Sequence, residues 1–144
     1  MWRNGSKLTC SLKAPVLPTL VFYGTVFSGR GEGKKFLSLP WVSRQIKEKT
    51  GFKPYLGTLN LRLTGEAAKL KKQLQKAHHI PIDPAEGYCP GFVIKAKIGV
   101  STVAIVVPEV PNYPEDVLEV VAPFCLREKE KLVDGSAVAV EVTV

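Results

Sequence analysis

Three groups of residues in this 144-residue chain have types and spacings that could do chemistry. The first is a run of alternating glycines, Gly29-Arg30-Gly31-Glu32-Gly33, followed by Lys34 and Lys35. Glycine permits positive φ, so such a run can curl its N–H groups inward around a phosphate, with two lysines adding positive charge beside it. The spacing is GxGxG, neither the dinucleotide fingerprint nor a Walker loop, and the same composition fits a flexible hairpin loop. The second is GTLNLRL, Gly57 to Leu63. If Leu59, Leu61 and Leu63 face a core, then Thr58, Asn60 and Arg62 share the other face. A hydroxyl and an amide oxygen two residues apart are hard donors suited to Mg²⁺, which keeps several waters and takes phosphate oxygens besides. Two solvent-facing polar residues on an amphipathic strand would read the same way. The third is Glu119, a lone charge among Val117, Leu118, Val120 and Val121. A carboxylate so placed fits either a ligand cavity or an outward strand position.

Other candidates carry less. His78 and His79 are adjacent, so they cannot share a face, and no acid or thiol stands at metal-ligand spacing from them. Cys10, Cys89 and Cys125 form no CxxC pair, and their odd number points to reduced cytoplasmic thiols rather than a disulfide framework. Cys125 and Cys89 have no activating partner visible in sequence. Lys69, Lys71, Lys72 and Lys76 read as a solvated helix face, with a nucleic-acid patch as the alternative. No serine-hydrolase elbow or HExxH motif occurs.

The elements that must position these groups follow from patterning. Leu20 to Ser28 is β-rich, with Val21, Tyr23, Thr25 and Phe27 on one face, and Gly29 to Lys35 is expected to lie outside regular structure. Trp41 to Thr50 has helical spacing, and Gly51 is its stop. Thr58–Leu63 is an alternating strand. Thr64 can cap the helix EAAKLKKQLQKA, whose Glu66 lies in the first turn. His78 to Gly91, with three prolines, is expected to be a loop. Phe92–Ile98 and Ser101–Val107 form a hairpin around Gly99-Val100, and Pro108, Pro111 and Pro114 punctuate a second loop. Val117–Val121 fits a strand or a short helix. Leu126–Lys131 is helical, and Asp134-Gly135 turns into a strand in which Val138, Val140, Val142 and Val144 share a face. Five or six short strands with two or three helices predict a mainly β, single-domain small barrel with helical insertions. Residues 1–18 read as an arm or linker ahead of a domain over residues 19–144.

Composition is consistent with one soluble domain: 45% hydrophobic and 23% charged residues argue against a disordered or fibrous chain. No apolar run resembles a signal-peptide core or reaches the length of a membrane span. Net charge is +7, but residues 1–80 carry 15 Lys+Arg against 3 acids, while residues 81–144 carry 5 against 10. A basic first half suits a polyanionic ligand, and nucleotide and nucleic acid fit equally.

Taken in order, SGRGEGKKFLSLPWV, GFKPYLGTLNLRL, AIVVP and VLEVVAPFCLREKEKLVDGSAVAVEV resemble the archaeal CTP-dependent riboflavin kinases, across roughly Leu20 to Val142. The resemblance implies a cradle-loop barrel and transfer of the γ-phosphoryl of CTP to the 5′-hydroxyl of riboflavin, giving FMN and CDP. It implies nucleotide binding by Gly29, Arg30, Gly31, Glu32, Gly33 and Lys34, and by a second segment, Cys125, Leu126, Arg127 and Glu128. It implies one Mg²⁺ on Thr58 and Asn60, and a flavin-side role for Glu119, as base or as the group that positions the hydroxyl. Two positions depart from the pattern. Pro111 stands where relatives place a flavin-side threonine, and Cys125 where they place a lysine. The expectation is a cytoplasmic monomer acting on CTP and riboflavin, with neither membrane nor nucleic acid as partner. The alternative is a non-catalytic small barrel that binds nucleic acid, against which stands the lack of closely spaced aromatic platforms on any strand.

Overall fold

The computed structural model describes residues 19–29, 32–71, 73–74, 79–88 and 90–143; the expected arm over residues 1–18 lies outside them. The elements, in chain order, are β1 (Thr19–Phe27), α1 (Glu32–Leu37), α2 (Pro40–Thr50), β2 (Leu59–Leu63), α3 (Gly65–Lys71), β3 (His79–Ile82), β4 (Gly91–Ile98), β5 (Ser101–Pro108), β6 (Val117–Val121), α4 (Leu126–Lys129) and β7 (Ala137–Thr143). All strand pairs are antiparallel, in the order β3-β4-β5-β6-β2-β1-β7. A further pairing of β4 with β7, at Lys97 and Glu141, closes six strands into a barrel. One edge of β4 is thus shared: β3 occupies its first half, Gly91 to Ile94, and β7 its end.

Period-two alternation builds the barrel interior. Leu59, Leu61 and Leu63 point inward from β2, and Val138, Val140 and Val142 from β7. On β1 the inward set is Phe22 and Val26, with Gly24 between them, so the face shared by Tyr23 and Thr25 looks outward and Tyr23 is 64% exposed. Gly24 is needed there because a β-carbon would come within 2.9 Å of the Leu61 β-carbon across the β1–β2 pair.

A second apolar cluster lies outside the barrel. α2 buries Val42 and Ile46, and with Leu37 of α1 they cover Val93, Val106 and Val121 on the outer faces of β4, β5 and β6. Both faces of β6 are therefore buried, which is why VLEVV is a nearly continuous apolar run and why it is a strand. Pro40 opens α2, and Gly51, at φ 87°, ends it as expected, its N–H bonding the Lys47 carbonyl at 3.0 Å.

The structure corrects the sequence expectations at four places. Glu32–Leu37, expected outside regular structure, is a helix: burial of Leu37 and half-burial of Phe36 against the outer cluster outweigh the poor helix propensity of Gly33. His79–Ile82, expected to be loop, is a strand. Gln45 of α2 brackets its exit by bonding Asp83 N–H and C=O at 2.8 and 2.9 Å, and Lys49 bonds the Pro81 carbonyl at 2.6 Å. The described elements therefore number seven strands and four helices, where five or six strands and two or three helices were expected. Finally, Lys71, the last residue of α3 as described, is half-buried rather than part of a solvated face. Lys72, Lys76 and His78 lie outside the described residues.

Candidate active site

The outer face of the barrel beside the helical layer carries the polar cluster. Leucine alternation on β2 forces Asn60 outward, and the same alternation on β6 sends Glu119 outward between inward-facing Leu118 and Val120. Register then sets the two side by side: Asn60 pairs with Glu119 and Phe27 pairs with Asn60. Thr58, just before β2, donates its hydroxyl to Glu119 Oε1 at 3.1 Å. Tyr113, from the proline-rich loop before β6, donates to Glu119 Oε2 at 2.5 Å. Glu119 is only 9% exposed, and each carboxylate oxygen has a donor, as a buried acid requires.

Both glycines described in the loop press on this cluster. A β-carbon on Gly33 would lie 2.3 Å from Thr58 Oγ1 and 2.6 Å from Glu119 Oε1; one on Gly29 would lie 2.7 Å from Asn60 Nδ2. Only glycine lets the loop and the start of α1 approach so closely. A cavity of about 550 Å³ opens here, walled by Gly29, Gly33, Asn60, Arg62, Tyr113 and Glu119. Arg62 lies over the Phe27 ring at 4.5 Å and bonds Asp116 at 2.9 Å. Lys34 is exposed and, with Lys53 and Tyr55, borders a separate open cleft of about 670 Å³. Arg30 and Gly31 lie outside the described residues, as does the side chain of Glu32.

The second segment reaches the cluster from the other side. Cys125, Leu126 and Arg127 share a cavity of about 70 Å³ with Tyr55 and Thr58. Leu126 is buried in the barrel core, so its side chain is committed to packing, while Cys125 is half-buried and Glu128 exposed. Electrostatic interaction with Cys125, then a hydrogen bond to it, pushes the neighbouring Tyr55 phenol above its ordinary range. Arg127 donates to the Phe27 carbonyl at 3.2 Å and to Asp134 at 2.7 Å, and Asp134 accepts from Ser28 at 2.9 Å. The hydrogen bond from Arg127, then that from Ser28, holds the Asp134 carboxyl below its ordinary value. These bonds tie the root of the glycine loop to the second segment. Pro111 is exposed in the loop before β6, two residues from Tyr113.

Sequence reading brought forward Thr58, Asn60, Glu119 and both glycines, and the fold assembles them. It missed Tyr113, which reaches Glu119 from six residues upstream, and Ser28 and Asp134, whose pairing joins segments 106 residues apart. The signals available were the proline punctuation around Tyr113 and the Asp134-Gly135 turn.

The residues fit a hard divalent cation. Thr58, Asn60 and Glu119 offer an all-oxygen set, and the glycines leave uncovered a face that any β-carbon would fill. Among the described residues no group of three or more His, Cys, Asp or Glu could hold a metal, so such an ion would rely on Thr58, Asn60 and the nearby Glu119 carboxylate and on oxygens brought by a ligand. No described helix is long and apolar enough to cross a membrane.

A model of the CTP-dependent riboflavin kinase family, described as "Domain of unknown function DUF120", matches residues 26–142. The chain is 41% identical over 130 residues to a protein of Archaeoglobus fulgidus named riboflavin kinase, covering 86% of this chain and 55% of that one. Proteins of the same name from Methanoregula boonei and Pyrobaculum islandicum are 41% and 40% identical over 123 and 126 residues. Each of those matches covers 83% of this chain, and 55% and 58% of the relative. The chain spans a little over half the length of the curated relatives it matches.

Proposed function

The chain belongs to the CTP-dependent riboflavin kinase family, and from that premise we propose that it phosphorylates riboflavin, taking the γ-phosphoryl of CTP and releasing FMN and CDP. The observation that carries this reading is the packing of Gly29 and Gly33 directly against Asn60, Thr58 and Glu119. A glycine-walled cavity, hard oxygen donors and a buried carboxylate meet there, which is what phosphoryl transfer needs. In that reaction the riboflavin 5′-oxygen bonds to Pγ while the bond from Pγ to the β,γ-bridging oxygen breaks. Little covalent help is required of the protein, so positioning and charge neutralisation dominate.

The roles divide across the cleft. The loop from Gly29 to Lys34 takes the triphosphate, with backbone N–H groups and the Lys34 ammonium as donors. Leu126 contributes backbone only, and Arg127 works by fixing the loop root through Phe27 and Asp134. Thr58 and Asn60 would hold one Mg²⁺, which when bound neutralises phosphate charge. Glu119 faces the acceptor: its carboxylate orients the ribityl hydroxyl and accepts its proton as the new bond forms. Pro111 offers the flavin a ring surface without hydroxyl or N–H, so polar contact near it must come from other residues. The protein acts as a cytoplasmic monomer in this reading.

A nucleic-acid-binding role has less support, because Lys71, part of the lysine run that suggested it, is turned toward the Pro114 and Val117 carbonyls. The test is incubation with riboflavin, Mg²⁺ and either CTP or ATP, followed by separation of flavins. FMN formed with CTP supports the reading; absence of FMN with either nucleotide overturns it.

A further inference from the structure

Lys71 is the residue whose placement the reaction as described leaves unused. It leaves the last turn of α3 and carries its ammonium to the loop before β6, donating to the Pro114 carbonyl at 3.1 Å and to the Val117 carbonyl at 2.9 Å. The same nitrogen sits 4.8 Å from the centre of the Tyr113 ring. Tyr113 in turn donates to Glu119 Oε2. We propose that Lys71 is a positioning residue for the Glu119 carboxylate, acting through Tyr113; the proposal rests on the kinase reading for its effect on catalysis.

The loop needs an outside tether. Pro111 and Pro114 have no N–H to donate, so this segment can supply few hydrogen bonds of its own. Its ends are fixed by Glu109 N–H to the Pro90 carbonyl at 2.9 Å and by Leu63 N–H to the Asp116 carbonyl at 2.7 Å. Between those points Asn112 adopts φ 62° and turns the chain toward Tyr113, whose ring and following carbonyls face α3. Lys71 touches both. Burial pushes its ammonium below the ordinary lysine value, while Glu115, Asp116 and Glu119 pull the other way. Charge-assisted bonds to two carbonyls and a cation–π contact offset that desolvation.

Glu119 Oε1 is already held by Thr58 from the β2 side. The second donor, Tyr113, stops rotation of the carboxylate about its terminal bond, so one lone-pair direction stays aimed into the cleft. A misplacement of about 1 Å can cost on the order of a hundredfold in rate, so slack in Tyr113 should be read directly in kcat.

The experiment compares Lys71→Met, Lys71→Gln, Lys71→Arg, Tyr113→Phe and the double variant Lys71→Met/Tyr113→Phe. Steady-state riboflavin phosphorylation, CTP affinity by calorimetry and a crystal structure of each folded variant are measured. We expect kcat to fall about tenfold to a hundredfold in the Met and Gln variants, with CTP affinity unchanged and substantial recovery in Lys71→Arg. Because the two residues act in series, the double variant should be no slower than the slower single one. The crystal structure of either uncharged variant should show the Tyr113 hydroxyl beyond hydrogen-bond distance of Glu119. Unchanged kcat, additive losses, or an intact Tyr113–Glu119 bond without the ammonium would each overturn the proposal. A wild-type protein that makes no FMN would instead sink the kinase reading, and the crystal structures would still decide whether Lys71 holds Tyr113.

Discussion

Gly33 and Thr58, 25 positions apart, are packed so that a single added carbon on the glycine would fall 2.3 Å from the threonine hydroxyl. This contact joins the helical layer to the polar face of the barrel and explains why a helix begins with a glycine in it. Gly33→Ala must displace α1, Thr58 or Glu119. The expected outcome is a loss of kcat/KM for CTP on the order of a hundredfold, with the barrel still folded, because the inner core is untouched. Steady-state kinetics beside a thermal melt check this; unaltered CTP kinetics would mean that the loop does not need its close approach.

Asn60→Leu keeps the size and strand character of the residue while removing its oxygen. Since Asn60 faces outward beside Glu119, melting should change little, whereas activity should collapse and should not be rescued by raising Mg²⁺. Full turnover in this variant would remove Asn60 from the metal site.

Glu119→Gln separates proton transfer from positioning. Gln retains the shape but replaces one acceptor oxygen by a donor, facing either Tyr113 or Thr58. A kcat loss of about a hundredfold or more at nearly unchanged riboflavin affinity is expected if the carboxylate accepts the proton. A rise in riboflavin KM with kcat preserved would assign it to positioning alone.

Much of this arrangement could be read in the sequence, for a physical reason. On β2 the leucine alternation sets facing, and so Thr58 and Asn60 stood out, while Glu119 stood out as a lone charge in an apolar run. Their adjacency came only from strand register, Asn60 against Glu119, which no local pattern encodes. α1 was obscured because glycine argues against helix and the force that wins, burial of Leu37 under β5 and β6, is tertiary. β3 was obscured by Pro81 and by a length of four residues, and it persists because β4 pairs it and α2 bonds its carbonyl. Lys71 looked like its lysine neighbours, although its neighbours in space are two carbonyls and a tyrosine ring.

Asp134 provides a pH test. Arg127 and Ser28 lower its carboxyl pKa in the folded chain below the unfolded value of about 4. Its contribution is therefore present above that pH and is lost as pH falls through the folded value. Wild-type protein should melt slightly above Asp134→Asn at neutral pH, and the difference should close below about pH 4 and in high salt. A difference that persists unchanged to about pH 2 would contradict the assignment.

Product analysis under single-turnover conditions decides whether this chain moves a phosphoryl group from CTP to riboflavin. Protein in excess over riboflavin is mixed with Mg²⁺ and CTP labelled in the γ-phosphoryl, and flavins and nucleotides are separated. Label is expected in FMN, with one CDP formed for each FMN, and greatly reduced label transfer is expected from Gly33→Ala. CDP formed without FMN, or no conversion of riboflavin at all by the wild-type protein, would contradict the kinase reading.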